Sequence, residues 1–280
     1  MKKLVLFSMA AVLSFTMGAQ MQTPQPSPSS MMEQMVGLTK VEVAYSRPSM
    51  RGRTIFGDLV PYGKMWRTGA NKNTTVSFSD DVTIDGQSLK AGTYAVFTKP
   101  GESTWDVYFY SDTENWGTPQ NWDESKVAAK TTVQVYPIEM PIETFTISID
   151  DLSDNGANLG MMWEKAYVGV NFQVPTDEKA TKSIETAMAG PSAGDYYSAA
   201  SYYFDSGKDI AKAKTWIEKA VEMNPKAYWV IRKQSLIYAK MGDTKSAIAA
   251  AKKSLAAAED AGNMDYVKMN KDSLKEWGAL

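Results

Sequence analysis

The chain has 280 residues, 44% apolar and 22% charged, with a formal charge of −2. That is ordinary globular composition, with room for about two domains at roughly 150 residues each. It holds no Cys and no His, which excludes a disulfide scaffold, a thiol nucleophile, thiolate-bound zinc, imidazole ligation and the Ser-His-Asp triad.

In chain order, Met1-Lys2-Lys3, the apolar stretch Leu4 to Met17 and Gly18-Ala19-Gln20 have the basic, apolar and small-residue regions of a secretory signal peptide. Cleavage is expected after Ala19, so residues 1–19 are assigned to the signal and the mature chain to an exported protein of the periplasm or outer cell envelope. The stretch is short of the ~20 apolar residues that a membrane span needs. No later segment reaches that length, so no transmembrane segment is expected in the mature chain. Residues 20–35, rich in Pro, Ser and Gln, read as a linker.

Residues 36–174 then alternate apolar and polar in short runs. Val41, Val43 and Tyr45 start the series, followed by 74–79, 82–84, 88–89, 93–98, 105–110, 131–136, 144–149, 159–163 and 166–172. Period-two runs separated by turns predict an antiparallel, sandwich-like β domain. Asp85-Gly86 and Asn155-Gly156 are both expected as hairpin dipeptides.

Beyond Pro175 the pattern becomes helical. Thr176-Asp177-Glu178 opens a linker helix that Gly190-Pro191 closes, giving 175–191. Residues 192–280 repeat with a period of 34: Phe204 with Tyr238, Asp209 with Asp243, Ala213 with Ala247, Ile217 with Ala251, Ala220 with Ser254. Small residues at that spacing resemble the tetratricopeptide repeat, with a closing helix over 265–277. The fold class is therefore α+β, a β domain followed by an all-α tail. A tail of this kind implies a protein or peptide partner.

Residues 36–174 carry 12 basic against 17 acidic side chains, and 175–280 carry 16 against 14. Neither half has the basic field of a nucleic-acid binder, so no nucleic-acid partner is expected. Yet Arg is used unevenly. Of 5 Arg against 25 Lys, four are Arg47, Arg51, Arg53 and Arg67. A guanidinium offers a planar fork of donors for carboxylate or phosphate and stacks on rings. Tyr45, Phe56, Tyr62 and Trp66 supply rings, and Asp58, Asn71 and Asn73 polar partners.

Tyr45-Ser46-Arg47-Pro48-Ser49, Gly52-Arg53-Thr54-Ile55-Phe56-Gly57 and the run from Pro61-Tyr62-Gly63-Lys64-Met65-Trp66 to Arg67-Thr68-Gly69-Ala70-Asn71 resemble the signature of domain of unknown function family 2911. So do Ala91-Gly92-Thr93-Tyr94, Asn115-Trp116-Gly117 and Met162-Trp163-Glu164. The resemblance covers roughly residues 36–174. It implies a secreted or envelope-located β domain, often followed by helical repeats, and no particular activity. The stretch Trp122 to Lys126 departs from the family's Asp-rich, Arg-containing pattern, since it holds no Arg.

Two readings of the cluster compete. In one, Arg47, Arg53 and Arg67 pair with acids and knit long loops to the sandwich. In the other, Tyr45, Arg47, Arg53, Trp66, Arg67 and Asn71 form a pocket for an anionic or polyhydroxylated (glycan) ligand. Catalysis without His or Cys would fall to carboxylates, as in a glycan hydrolase. The adjacent pairs Asp80-Asp81 and Asp150-Asp151 point to opposite strand faces, and no catalytic residue is assigned. The oxygen-rich run 150–156 reads as a polar hairpin turn rather than a calcium loop, and no metal or cofactor is expected. Trp116 and Trp122 are candidates for a surface aromatic platform. The leading expectation is a non-catalytic binding or scaffold protein. The alternatives are a carboxylate-based hydrolase and a structural spacer acting through its helices only.

Overall fold

The computed structural model describes residues 23–280. The expected signal peptide, residues 1–19, lies outside the described residues. Two compact units part between Val174 and Pro175.

The first unit holds ten strands in two antiparallel sheets. They are β1 (Ser29–Val36), β2 (Thr39–Ser46), β3 (Thr75–Phe78), β4 (Val82–Ile84), β5 (Gln87–Leu89), β6 (Gly92–Pro100), β7 (Thr104–Tyr110), β8 (Val127–Gln134), β9 (Tyr136–Ser153) and β10 (Gly156–Gln173). One sheet runs β1-β2-β3-β6-β7-β8 and the other β5-β4-β10-β9. Alternation decides the inner faces. Val41, Val43 and Tyr45 from β2 and Trp105, Val107 and Phe109 from β7 meet Phe145, Ile147, Leu159, Met161 and Trp163 from β9 and β10 in one core. These are the residues whose period-two spacing marks them from sequence.

Three features differ from the sequence expectation. First, the sheet begins at Ser29, inside the stretch assigned to the linker. Strand β1 pairs with β2 from Ser29↔Ser46 to Val36↔Thr39. Its sequence is short of β-branched residues, and only Val36 is fully buried, so partner pairing rather than propensity makes it a strand. Second, only Asp85-Gly86 is a hairpin dipeptide with positive φ at both residues (+49° and +76°). In the other hairpin Gly156 already pairs with Ser153, leaving Asp154-Asn155 as the turn. Glycine is needed at 156 because a Cβ would lie 2.5 Å from the Phe172 carbonyl oxygen. Third, the two runs 159–163 and 166–172 are one continuous strand. Between Met162↔Thr146 and Ala166↔Pro137 β10 advances four residues while β9 advances nine. Pro137 and Pro141, lacking N–H groups, sit in that bulged stretch of β9, where they remove ladder donors.

A second, smaller cluster lies apart from the sandwich core. Ala95, Phe97, Tyr108 and Tyr110 are covered by Met65, Trp122 and Val127. Trp122 stacks on Tyr110 (4.6 Å between centroids, 29° between planes). The expected surface platform at Trp122 is thus a packing residue, whereas Trp116 is 75% exposed.

The second unit has six helices: α1 (Thr176–Ala187), α2 (Ala193–Asp205), α3 (Ile210–Met223), α4 (Tyr228–Lys240), α5 (Thr244–Asp260) and α6 (Met264–Glu276). Ser192 and Asp195 form a capping box at α2, and Asp209, Asp243 and Asn263 cap α3, α5 and α6. The residues spaced by 34 occupy equivalent places: Asp209 and Asp243 are both caps, and Ala213, Ala247, Ile217, Ala251, Ala220 and Ser254 are all buried. Among the described residues no helix is long and apolar enough to cross a membrane.

Candidate functional site

The segment between β2 and β3 carries the arginine cluster, and one aromatic anchors it. The Trp66 backbone exchanges two hydrogen bonds with Thr98 of β6, at 2.7 and 2.9 Å. Its indole stacks on Trp163 (5.9 Å, 18°) and meets Phe145 edge-on at 5.1 Å. The indole N–H donates to the Gly69 carbonyl at 3.2 Å. Trp66 is therefore rigid, with one side in the core.

The turn after Trp66 is strained. Thr68, a fully buried β-branched residue, has φ +55°, and Asn71 has φ +59°. Left-handed backbone at a β-branched residue costs on the order of 1–3 kcal/mol and persists only where surroundings hold it. Here the Thr68 hydroxyl bonds to that of Thr98 at 3.1 Å, and the Thr74 hydroxyl donates to the Thr68 carbonyl. Between them Gly69 has φ +143°, and a Cβ there would lie 3.0 Å from both the Ser46 carbonyl oxygen and the Thr74 hydroxyl. The turn fixes the backbone from which the Arg67 side chain leaves.

The four arginines have different fates, and none forms an ion pair with a described carboxylate. Arg47 donates to the Phe145 carbonyl (3.1 Å) and the Thr146 hydroxyl (2.7 Å), tying β2's end to β9. Arg51 donates to the Pro26 carbonyl at 2.9 Å. Arg53 holds its own loop through the carbonyls of Met50 (2.9 Å) and Ser49 (2.7 Å). Arg67 makes no hydrogen bond to any of the described residues. Its guanidinium lies against Gly117, where a Cβ would come within 3.0 Å of Nη1. The acid pairing expected in the structural reading is replaced by bonds to carbonyls and a hydroxyl. Those partners belong to the fold and are not visible in a sequence.

Arg53, Trp66 and Arg67 come together around a cavity of about 390 Å³, with Ser27, Thr118 and Trp163 among the other walls and no carboxylate in the lining. Asn71 is not in that lining. It walls the next hollow, of about 370 Å³, with Trp116 and Lys72, and donates to the Ser27 carbonyl at 3.1 Å. Tyr45 edges a third hollow, of about 340 Å³, but its hydroxyl accepts from Ile147 N–H at 3.0 Å and it is only 6% exposed. Tyr45 and Arg47 therefore serve the fold, and the six residues expected in one pocket divide between a cavity, its neighbours and the core. Ser27 and Thr118 do not stand out in the sequence, because nothing in a linker serine or a loop threonine signals convergence.

Carboxylates gather elsewhere. Asp81 meets Lys90 at 2.8 Å and accepts from Ala91 N–H, and these bonds, the Lys90 contact first, hold its carboxyl below the usual range. Asp150 accepts from Ser148 and Tyr167, and Asp151 from Asn158. Burial, then Asp150, pushes the Tyr167 phenol up to about 12. Glu164 (φ +54°) spends its two oxygens on the N–H groups of Ile55 and Phe56, at 3.3 and 3.2 Å. It lines a separate hollow with Tyr62 and Glu102. Burial, then those two carboxylates, raises the Tyr62 phenol. Each of these carboxylates except Glu102 is thus held by hydrogen bonds that brace the fold, and none lines the arginine cavity.

No curated protein is similar enough to this chain to count as a relative. The model of one protein family matches residues 27–172, just over half of the chain, and starts ahead of β1, in keeping with a sheet that begins before residue 36. The chain belongs to the family described as "Protein of unknown function (DUF2911)".

Proposed function

We propose that this is an exported, non-catalytic binding protein whose β domain holds an anionic ligand in the cavity of Arg67 and Arg53, while its repeat-like helical tail contacts a protein partner. One observation carries the reading: Arg67, which follows the anchored Trp66, has no hydrogen-bond partner among the described residues and lines a cavity with a second guanidinium and no acid. A guanidinium with unused donors in a walled site suits a carboxylate or phosphate held by two parallel bonds. The strained Thr68–Asn71 turn supports the same conclusion, since a fold holds such backbone where a side chain must be aimed. Export rests on the pattern of residues 1–19, and a partner for the tail rests on its small-residue, 34-spaced core.

The test is calorimetric titration of the purified chain with citrate and with galacturonate. Binding is expected, with a loss of more than about tenfold in Arg67→Ala, the usual scale for a charge-assisted pair, and little change in melting temperature. Absence of binding to both anions, or a large drop in melting temperature for Arg67→Ala with affinity unchanged, would return the cluster to a structural role.

A further inference from the structure

Among the described residues the two sheets end in four edge strands, β1 and β8 in one and β5 and β9 in the other. A free edge is a row of unpaired N–H and C=O groups, which proteins ordinarily blunt against stray pairing. Three of these edges are blunted. β5 has only three residues. β9 carries Pro137 and Pro141, and its register breaks around them. β8 carries Lys130, whose N–H and C=O are both engaged by the Gln87 side chain, at 3.3 and 2.6 Å.

The remaining edge, β1, is bare. It reads Ser29-Ser30-Met31-Met32-Glu33-Gln34-Met35-Val36, with no Pro, Lys or Arg, and it pairs with β2 without a register shift. Bonded and unbonded pairs alternate along an antiparallel ladder. The Arg47 N–H donates to the Pro28 carbonyl, one pair beyond Ser29↔Ser46, so the even-numbered residues of β1 bond to β2. The N–H and C=O groups of Ser29, Met31, Glu33 and Met35 therefore point away from β2. No backbone group among the described residues pairs with them, and the Gln34 side-chain amide reaches the Met35 carbonyl at 2.9 Å. All four residues are exposed, Met31 at 77% and Met35 at 50%.

We infer that β1 is a homodimer interface, where β1 of a second copy adds antiparallel and joins two six-stranded sheets edge to edge. Only odd-numbered residues have free groups, so odd must meet odd and the twofold axis passes through a single residue. An axis at Glu33 would set two carboxylates directly opposite each other, which is destabilising. An axis at Met32 removes that conflict. It sets Met31 against Glu33 and Ser29 against Met35 on the outer face, and Ser30 against Gln34 on the inner one. Met32 then meets its own copy, and since it already packs on the sandwich core, the core continues across the seam. The strand is complementary to itself in backbone, register and charge, and this selects a second copy as the occupant. The inference does not depend on the arginine cavity.

Sedimentation velocity of residues 20–280, the expected mature chain, tests it from about 1 to about 100 µM. The mass is expected to rise from one chain toward two, as for a small, transient interface. Met31→Pro deletes an outward N–H and no bond to β2, so it should hold the mass at one chain with an unchanged circular dichroism spectrum. Met31→Glu, which keeps the backbone intact, places a carboxylate opposite Glu33 and should do the same, whereas Met31→Lys should keep the dimer. The chain has no Cys, so single cysteines report the register. The axial pair is an unbonded one with Cα atoms about 4.5 Å apart, so Met32→Cys should crosslink on mild oxidation. Glu33→Cys would stand about 7–8 Å from its mate and should not. A single-chain mass throughout would overturn the proposal. So would association that survives Met31→Pro and Met31→Glu, or Glu33→Cys crosslinking as readily as Met32→Cys.

Discussion

Arg47 and Arg67 carry the same fork of donors, and their surroundings give them opposite work. Arg47 holds the Phe145 carbonyl and the Thr146 hydroxyl, half-buried at the junction of β2 and β9. Its replacement by alanine leaves a carbonyl without its charged donor, at a cost of about 1.5–3 kcal/mol. Urea denaturation of Arg47→Ala should show that loss with galacturonate affinity retained, the reverse of Arg67→Ala. Were both variants to lose affinity and keep stability, Arg47 would belong to the site after all. The residue scale is also where sequence reasoning stops soonest. Concentration of Arg in one stretch singles out the segment, and the ring neighbours are legible, Trp66 above all. Which guanidinium is left over depends on where carbonyls of β9 and of the loop itself fall, and that is set by the tertiary fold. The strain at Thr68 is likewise invisible, because a threonine gives no hint that its φ is positive.

Strands and helices are far more legible, for a physical reason: alternation and caps are local. Every run after residue 36 that alternates in sequence falls on strand here, with 131–136 split at Val135 between β8 and β9, and Asp209 and Asp243 cap the helices their spacing points to. Only pairing decides β1 and the bulges of β9, and pairing leaves no local mark. At the N-terminus of α3, Asp209 accepts from Ala211 and Lys212 N–H at 2.9 and 3.1 Å. Asp209→Ala should therefore cost about 1 kcal/mol, read by thermal melting of the helical signal. The strands carry a pH dependence instead. Burial raises the Asp106 carboxyl, but the Thr132 hydroxyl (2.7 Å) and the Lys130 ammonium (3.1 Å) outweigh it, leaving the group below its ordinary value. A carboxyl lowered in the folded state adds stability that is complete above its unfolded value, about 3.9. That stability is lost as pH falls through the lower native value. Asp106→Asn should therefore show a flatter decline in urea midpoint below about pH 4 than the parent chain. Parallel declines would mean that the β7–β8 contacts do not favour the anion.

At the scale of the whole chain, the division at Val174 and Pro175 separates two kinds of stability. The β unit has its own core of residues far apart in sequence, whereas each helix of the tail packs mainly on its sequence neighbours. Strand β10 ends at Gln173, Val174 still donates to the Asn155 carbonyl, and α1 starts at Thr176. A chain ending at Val174 thus keeps every strand and the arginine cavity. Residues 36–174 carry a net charge of −5, so an anion reaches the cavity against the field of its own domain. Affinity must then come from the unused fork of Arg67, with the charge of Arg53 beside it, rather than from long-range steering, which falls away within a Debye length of about 8 Å at physiological salt. Residues 23–174 expressed alone should fold and bind galacturonate within about twofold of the full chain at about 0.15 M salt, a difference of less than about 0.5 kcal/mol by the usual conversion. A tenfold loss on removing residues 175–280 would show that the tail contributes to the site, and the cavity could then no longer be treated as the property of the β domain alone.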